Sequence, residues 1–223
     1  MSNLVVAIDG PAGAGKSTVA QLAAKELHCT YIDTGAMYRA VAWKTLQAKK
    51  PVTEELILSV AKDIKVELSY AAGKTEVKVD GTDVTAAIRT LEVTAIVSKV
   101  AALGPVRAKM VELQRQMASQ GDVLMDGRDI ATNVLPDANV KIFLTASIEE
   151  RARRRFKEMQ AKGYAVKLDE LQADIAARDK ADSEREISPL VQAEDAELLD
   201  TSHMSIDEVV AAIVARCRKA REH

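Results

Sequence analysis

The residues with the clearest chemistry run from 10 to 18: Gly10, Pro11, Ala12, Gly13, Ala14, Gly15, Lys16, Ser17 and Thr18. Gly10 and Gly15 bracket four residues, and Lys16 and Ser17 follow directly. That is the G-x-x-x-x-G-K-[ST] spacing of a phosphate-cradling loop. Small residues let successive backbone N–H groups curl around a phosphate, and the start of the following helix adds partial positive charge. Lys16 can reach the β- and γ-phosphates of a nucleotide, and the Ser17 hydroxyl can ligate Mg²⁺. An apolar run, Leu4 to Ile8, precedes the loop, and a helix-compatible run from Ser17 to Leu27 follows it. The strand–loop–helix context that the spacing requires is therefore present.

Three further clusters carry charge in useful patterns. Asp126, Gly127, Arg128 and Asp129 stand at the end of an apolar stretch, Val123 to Met125. In open α/β sheets, ligands bind outside the carboxyl ends of the strands. There Asp126 can hold a Mg²⁺-linked water and Arg128 a phosphate. Asp129 can accept from an exocyclic amine such as cytosine N4. A plain structural loop is the alternative. Arg178, Asp182 and Arg185 are spaced to share one helix face. Arginines for phosphates with a carboxylate for a sugar hydroxyl suit a nucleotide, and intrahelical salt bridges are the competing reading. Arg151, Arg153, Arg154 and Arg155 sit just inside a helix start, against the macrodipole's preference for acids there. Such a helix can bring guanidinium groups over a transferring phosphate, or it can be a solvated helix paired with Glu149, Glu150 and Glu158. The histidines, His28, His203 and His223, neighbour none of these clusters, so no nucleophile–base pair is expected.

The elements that must position these groups alternate strand and helix, as in a doubly wound parallel sheet. Strands are expected at 4–8, 30–33, 122–126, 140–144 and 196–200. Helices are expected after the loop, from Thr34, from Thr53, from Thr85, from Ser147 and from Ser205. The last two carry the Ser-x-x-Glu capping signature. Between about 64 and 84 the period switches to two, with turns at Ala72-Gly73 and Asp80-Gly81. This predicts a small antiparallel β insertion with one wet face. The end from Lys219 to His223 is expected to fray.

With 223 residues, the chain suits a single domain. A net charge of −2 provides no broad basic field for nucleic acid or membrane, so anionic ligands must be held by local clusters. Aromatic residues at 3% argue against a base-stacking single-strand binder. Cys29 and Cys217 have no metal-ligand spacing and read as thiols of a reducing compartment. No apolar run approaches the ~18 residues of a spanning helix. The first apolar run lacks a basic stretch ahead of it, so a strand is expected there rather than a signal segment. A cytoplasmic monomer is the expectation, since no long apolar helix face is left over.

Taken in order, these residues resemble the bacterial-type cytidylate kinases, a nucleoside monophosphate kinase family. The resemblance runs through the loop at 10–18, Tyr31 to Arg39, Val97 to Ala101 with Pro105 to Arg107, Asp126 to Ile130, and Arg178 to Arg185 with Ser188 to Leu190. It implies a P-loop NTPase fold: one domain with a five-stranded parallel sheet flanked by helices. The core would be 1–63 and 85–223, with the insertion at about 64–84 on the monophosphate side and a lid at about 151–166. The implied reaction moves the γ-phosphate of ATP to CMP or dCMP with Mg²⁺. By position, Asp33 and Thr34 would stand near the monophosphate pocket, and Tyr38 and Arg39 would line it. Ser98, Arg107 and Asp129 would read the cytosine. Arg128 would contact the CMP phosphate, and Asp182 would hold ribose hydroxyls. Arg178 and Arg185 would bridge phosphates as catalytic groups beside Lys16 and Arg128, and Arg154 would serve the ATP side. The chain departs from the family at Ala131, where glycine is usual, and near Asn133, where an apolar residue is usual. A Cβ at 131 would strain a loop that needs positive φ. Two other readings fit the phosphate loop alone. One is a different small-molecule kinase and the other a nucleotide-operated switch, although no guanine-reading Asn/Thr-Lys-x-Asp segment occurs.

Overall fold

The structure, a computed structural model, describes residues 3–71, 73–161 and 163–222. Ala72 of the expected first turn, Lys162 of the expected lid and His223 lie outside the described residues. Five parallel strands form the central sheet: β1 (Val5–Asp9), β2 (Thr30–Asp33), β6 (Val123–Asp126), β7 (Val140–Thr145) and β8 (Glu197–Asp200). Their order is β2-β6-β1-β7-β8, with β1 in the middle. The chain departs to opposite sides of β1, so the loop after β1 sits at the topological switch point, where α/β sheets bind ligands. β1 and β6 are apolar up to their final aspartates, as strands buried on both faces must be.

Helices cover both faces. α1 (Lys16–Leu27) and α8 (Ile206–Arg221) close one side over Val6, Ile8, Leu124, Ile142 and Leu144. The other side and its extension hold α2 (Thr34–Gln47), α3 (Glu54–Asp63), α4 (Leu91–Ala102) and α5 (Gly104–Ala118), which share a core around Met37, Ile57, Ile88 and Met110. Caps form where the sequence puts them. Thr53 accepts from Leu56 N–H, and Ser205 with Glu208 forms a full capping box. The three-stranded antiparallel insertion is β3 (Val66–Ala71), β4 (Lys74–Val79) and β5 (Thr82–Asp83). Alternate residues of β4, Val77 and Val79, are buried in the same core as α2, which fixes the register. Tyr70 reaches back, its hydroxyl 3.1 Å from the Gln21 carbonyl of α1.

One expectation fails at the C-terminus. The last helix does not fray before its final residues. Arg221 donates to Asp122 Oδ2 at 2.6 Å and to the Leu27 carbonyl at 3.2 Å, which ties the helix end to the sheet edge and to α1.

Candidate active site

Gly10 to Gly15 form the loop between β1 and α1, and Lys16, Ser17 and Thr18 open the helix. Gly10 has φ +147°, and a Cβ there would sit 1.9 Å from the Leu144 carbonyl oxygen, so only glycine lets β1 and β7 run this close. Gly15 caps α1 in the left-handed region at φ 87°, which turns the loop N–H groups inward. Lys16 is buried, and its ammonium donates to the carbonyls of Gly10 at 2.6 Å and Pro11 at 2.8 Å. Burial pushes its pKa down, and the Arg128 charge pushes it the same way, while Asp126 and Asp9 oppose. An ammonium stripped of water and held only by loop carbonyls is poised for a stronger anion.

Ser17 and Asp126 meet across the sheet, Ser17 Oγ donating to Asp126 Oδ2 at 3.0 Å. The Tyr31 hydroxyl donates to Asp126 Oδ1 at 2.7 Å. Burial, with the charge of Asp33 added, raises the Asp126 pKa, and Lys16 counters. A hydroxyl and a carboxylate side by side are hard oxygen donors. They suit a Mg²⁺ ion that keeps most of its ligands as water and phosphate oxygens. No group of three or more His, Cys, Asp or Glu that could hold a metal occurs among the described residues.

Beside the loop a second cleft opens. Thr34, Tyr38 and Arg39 line it from α2, Ser98 from α4 and Arg107 from α5. Gly127, Arg128 and Asp129 follow β6, and Arg178, Asp182 and Arg185 come from the far side. The last three belong to α7 (Leu168–Glu184) and its C-cap, which packs on α6 (Ile148–Ala161). The clusters at 126–129 and 178–185, read separately in the sequence, thus meet in one place. Arg128 Nε bonds Asp182 Oδ2 at 2.9 Å. Arg107 bonds Asp129 Oδ2 and stacks its guanidinium 5.4 Å from the Tyr38 ring centroid. Arg185 donates to Asp129 Oδ1 at 3.4 Å and to the Ser188 carbonyl at 2.6 Å. Arg39 donates to the Ile88 carbonyl and to Thr94 Oγ1.

Like the Nε of Arg107, whose side chain pairs with Asp129, the Nε of Arg178 is buried without a hydrogen-bond partner among the described residues, and no carboxylate there pairs with Arg178. Burial lowers its pKa to about 10, with Arg128 as the next cause. Arg39 is lowered to about 10 as well, by burial and then by Arg178. These groups remain cations at neutral pH. Their mutual repulsion in a desolvated cleft marks a place built for several negative charges.

Other expected residues fall outside this cleft's walls. Asp33 caps α2 by accepting from Ala36 N–H at 2.9 Å, and its other oxygen takes Arg89 Nη2 at 2.6 Å. Arg154 lies on the side of the phosphate loop, donating to the Ala14 carbonyl at 3.2 Å and to Thr201. Arg151 is structural: it holds the Ala12 and Ala146 carbonyls and pairs with Asp179 at 2.7 Å. Arg153 pairs with Glu150 and Arg155 with Glu158, the bland alternative for that cluster. Ala131 raises no strain. It lies in a π-turn, Ile130–Val134, is absent from the positive-φ residues among those described, and packs its side chain into the core.

Sequence reasoning missed Asp9 and Arg89. Asp9 is the last residue of β1, 2% exposed, and its two oxygens accept from Ile130 and Ala131 N–H, each at 2.8 Å. It thereby locks the loop that carries Asp129 against the strand that carries the phosphate loop. A lone carboxylate at the C-terminal end of a buried parallel strand was the available signal. Burial raises its pKa from 3.8 to about 6, against the pull of the two N–H bonds. Because the folded value exceeds the unfolded one, the stability linked to this group is fully present below about pH 4 and is lost as pH rises through about 6. Between those limits the stability of the wild type relative to Asp9→Asn should fall by roughly 3 kcal/mol. Denaturant melts of both proteins across that range measure it; a pH-independent difference between them would count against the raised value.

Residues 6–219 match the family model described as cytidylate kinase. A protein named cytidylate kinase from Desulfitobacterium hafniense is 54% identical over 214 residues, covering 96% of this chain and 92% of its own. One of the same name from Bacillus cereus is 52% identical over 211 residues, 94% of each chain. Among solved structures, an uncharacterized protein from Eubacterium ventriosum aligns over 98% of this chain and 99% of its own, with TM-score 0.53 at 12% identity, a likeness of fold alone.

Proposed function

The chain belongs to the cytidylate kinase family, and from that premise we infer an ATP-dependent kinase that transfers the γ-phosphate of ATP to CMP or dCMP, yielding ADP and CDP or dCDP. The observation that carries the residue-level reading is the nearness of the phosphate loop to a second, arginine-walled cleft that Asp129 lines: the charges of Arg128 and Arg178, both in that cleft, act on Lys16, and Ser17 bonds Asp126 two residues before Arg128. A switch needs the first site only. A phosphoryl-transfer enzyme needs both, facing each other.

In this reading the loop from Gly10 to Thr18 wraps the ATP phosphates, with Arg154 beside it. Asp129 accepts from the cytosine N4 amine, with Ser98 and Arg107 completing the base pocket. Asp182 takes ribose hydroxyls. Thr34, Tyr38, Arg39 and Arg128 hold the CMP phosphate, with Asp33 stiffening the start of α2 beneath them. Mg²⁺, when bound, neutralises charge on the β- and γ-phosphate oxygens; Ser17 and, through water, Asp126 would hold it. The attacking atom is a phosphate oxygen, already ionised near neutral pH, so no general base is required. Catalysis then consists of aligning two polyanions and cancelling their repulsion. Lys16 and Arg178 face the charge that develops on the transferring group, and Arg185 stands between the phosphates and Asp129. Residues 64–84 and 151–166 serve as the monophosphate-side lobe and the lid that exclude water. We read the protein as a cytoplasmic monomer; its large exposed apolar side chains, among them Leu22, Leu91, Ile187 and Leu198, are scattered over separate elements.

The test is ADP formation from ATP against a panel of CMP, dCMP, UMP, AMP and a non-nucleotide acceptor. The expected result is strong turnover with CMP and dCMP and little without an acceptor. Slow hydrolysis indifferent to CMP would sink the reading and favour a switch.

A further inference from the structure

The base-reading carboxylate is held by a residue that the phosphate chemistry does not use. Asn133 Nδ2 donates to Asp129 Oδ2 at 3.1 Å. Only the amide nitrogen can face an ionised carboxylate, which has no proton to give, so the orientation of this side chain follows from chemistry. Asn133 is well placed for it. In the π-turn its own N–H bonds the Asp129 carbonyl at 2.9 Å, which stacks the two side chains one turn apart. Its carbonyl is clamped from α5 by Arg115 Nη2 at 2.6 Å, and Arg115 Nε takes the next carbonyl, Val134, at 3.0 Å. The turn cannot drift away from Asp129 without breaking these bonds.

The two carboxylate oxygens of Asp129 are therefore unequal. Oδ2 accepts from both Arg107 and Asn133, while among the described residues Oδ1 has only the long 3.4 Å contact from Arg185. An oxygen with two donors is spent, and the other retains a lone pair for a ligand. Two donors also hold the plane of the carboxylate, since any partial rotation about its axis would abandon both bonds. We propose that Asn133 is a specificity-determining positioning residue: by pinning Asp129 Oδ2 it presents Oδ1 to the ring substituent of a pyrimidine, favouring an amino donor over a carbonyl oxygen. This deepens the functional reading above and rests on it. A cytosine amine finds a fixed acceptor there. A uracil carbonyl finds a fixed lone pair facing its own, with no freedom for the carboxylate to turn aside.

Asn133 is partly exposed and borders an open groove between α5 and residues 187–188, so its replacement leaves no sealed cavity. The experiment compares wild type, Asn133→Ala and Asn133→Asp, each alone and with Asp129→Asn. The readouts are kcat and KM for CMP and for UMP, and KM for ATP. In Asn133→Ala the ratio of kcat/KM for CMP over UMP should fall about 5- to 10-fold, mostly through KM for CMP, while KM for ATP stays unchanged. Asn133→Asp, which sets a like charge against Asp129, should lower the ratio further. With Asp129→Asn already present, neither change should move the ratio, because the interaction it served is gone. An unchanged ratio in Asn133→Ala overturns the proposal. So does an equal fall in the Asp129→Asn background, which would mark a general effect on the fold. A wild type that turns over UMP as readily as CMP is a different result, and it refutes the functional reading beneath the proposal.

Discussion

Lys16→Ala should lower kcat by about 10²- to 10³-fold, with the fold retained. The folded protein bears the desolvation cost of this ammonium to keep it at the phosphate loop. Buried, with its pKa pushed down, Lys16 has the Gly10 and Pro11 carbonyls as its only hydrogen-bond partners among the described residues, with Asp126 and Asp9 offsetting part of the cost by charge. Removing it therefore takes away little native stability. What is lost is the cation that would bridge donor phosphates as charge shifts toward the leaving oxygen. The effect belongs in kcat more than in KM, since an interaction that strengthens toward the transition state is the one being deleted. Steady-state kinetics with CMP, alongside circular dichroism and thermal melting, checks both halves. Turnover near the wild-type rate would remove Lys16 from the mechanism.

The second large effect is expected at Arg178. Arg128, Arg107 and Arg185 each have a carboxylate partner, whereas Arg178 forms no ion pair among the described residues and its buried Nε, like that of Arg107, has no hydrogen-bond partner there. A guanidinium whose buried Nε lacks a partner costs folding free energy, partly offset here by the charges of Asp182 and Asp179, and finds fuller compensation when an anion arrives. Arg178→Met should thus have two opposite consequences. Turnover should fall by about 10³-fold, the lower end of what a transition-state arginine supplies. The melting temperature of the nucleotide-free protein should rise, because a buried cation repelled by Arg128 and Arg155 has been replaced by an apolar chain of similar length. A variant that loses activity and stability together would show that Arg178 is a structural residue and not a poised one. Melting curves with and without CMP plus ATP sharpen the comparison, since substrates should stabilise the wild type far more than the variant.

Much of this architecture was legible in the chain. The five strands fall within a residue of where the apolar runs put them, and the antiparallel insertion follows from the switch to period two at 64. These signals are local. A strand buried on both faces must be apolar throughout, and a half-buried hairpin must alternate. The failures are equally physical. The frayed C-terminus was read from position alone, yet Arg221 is anchored by Asp122, a residue 99 positions away. The arginine run at 151–155 was one pattern in sequence but divides in space, because a helix turns successive side chains by about 100°: Arg151 and Arg154 reach the loop carbonyls of Ala12 and Ala14, while Arg153 and Arg155 pair with Glu150 and Glu158 on their own helix.

By itself, the sequence determined the donor loop, the strand-end position of Asp126 to Asp129, and the helical spacing of Arg178, Asp182 and Arg185. Each depends on residues close enough in the chain for backbone geometry to fix their relation. Only the tertiary structure decided how the charges pair. Asp9 caps a turn 121 residues on, Asp33 holds Arg89, Asp182 takes Arg128, and Arg178 is left with no hydrogen-bond partner at its buried Nε among the described residues. Such partnerships arise when separate strand ends and helices converge at the carboxyl end of the central sheet. Burial there removes the water that would otherwise satisfy every charge alike. That selection, which no spacing encodes, separates the charges that pair with one another across the cleft from Arg178, whose buried Nε is left unsatisfied.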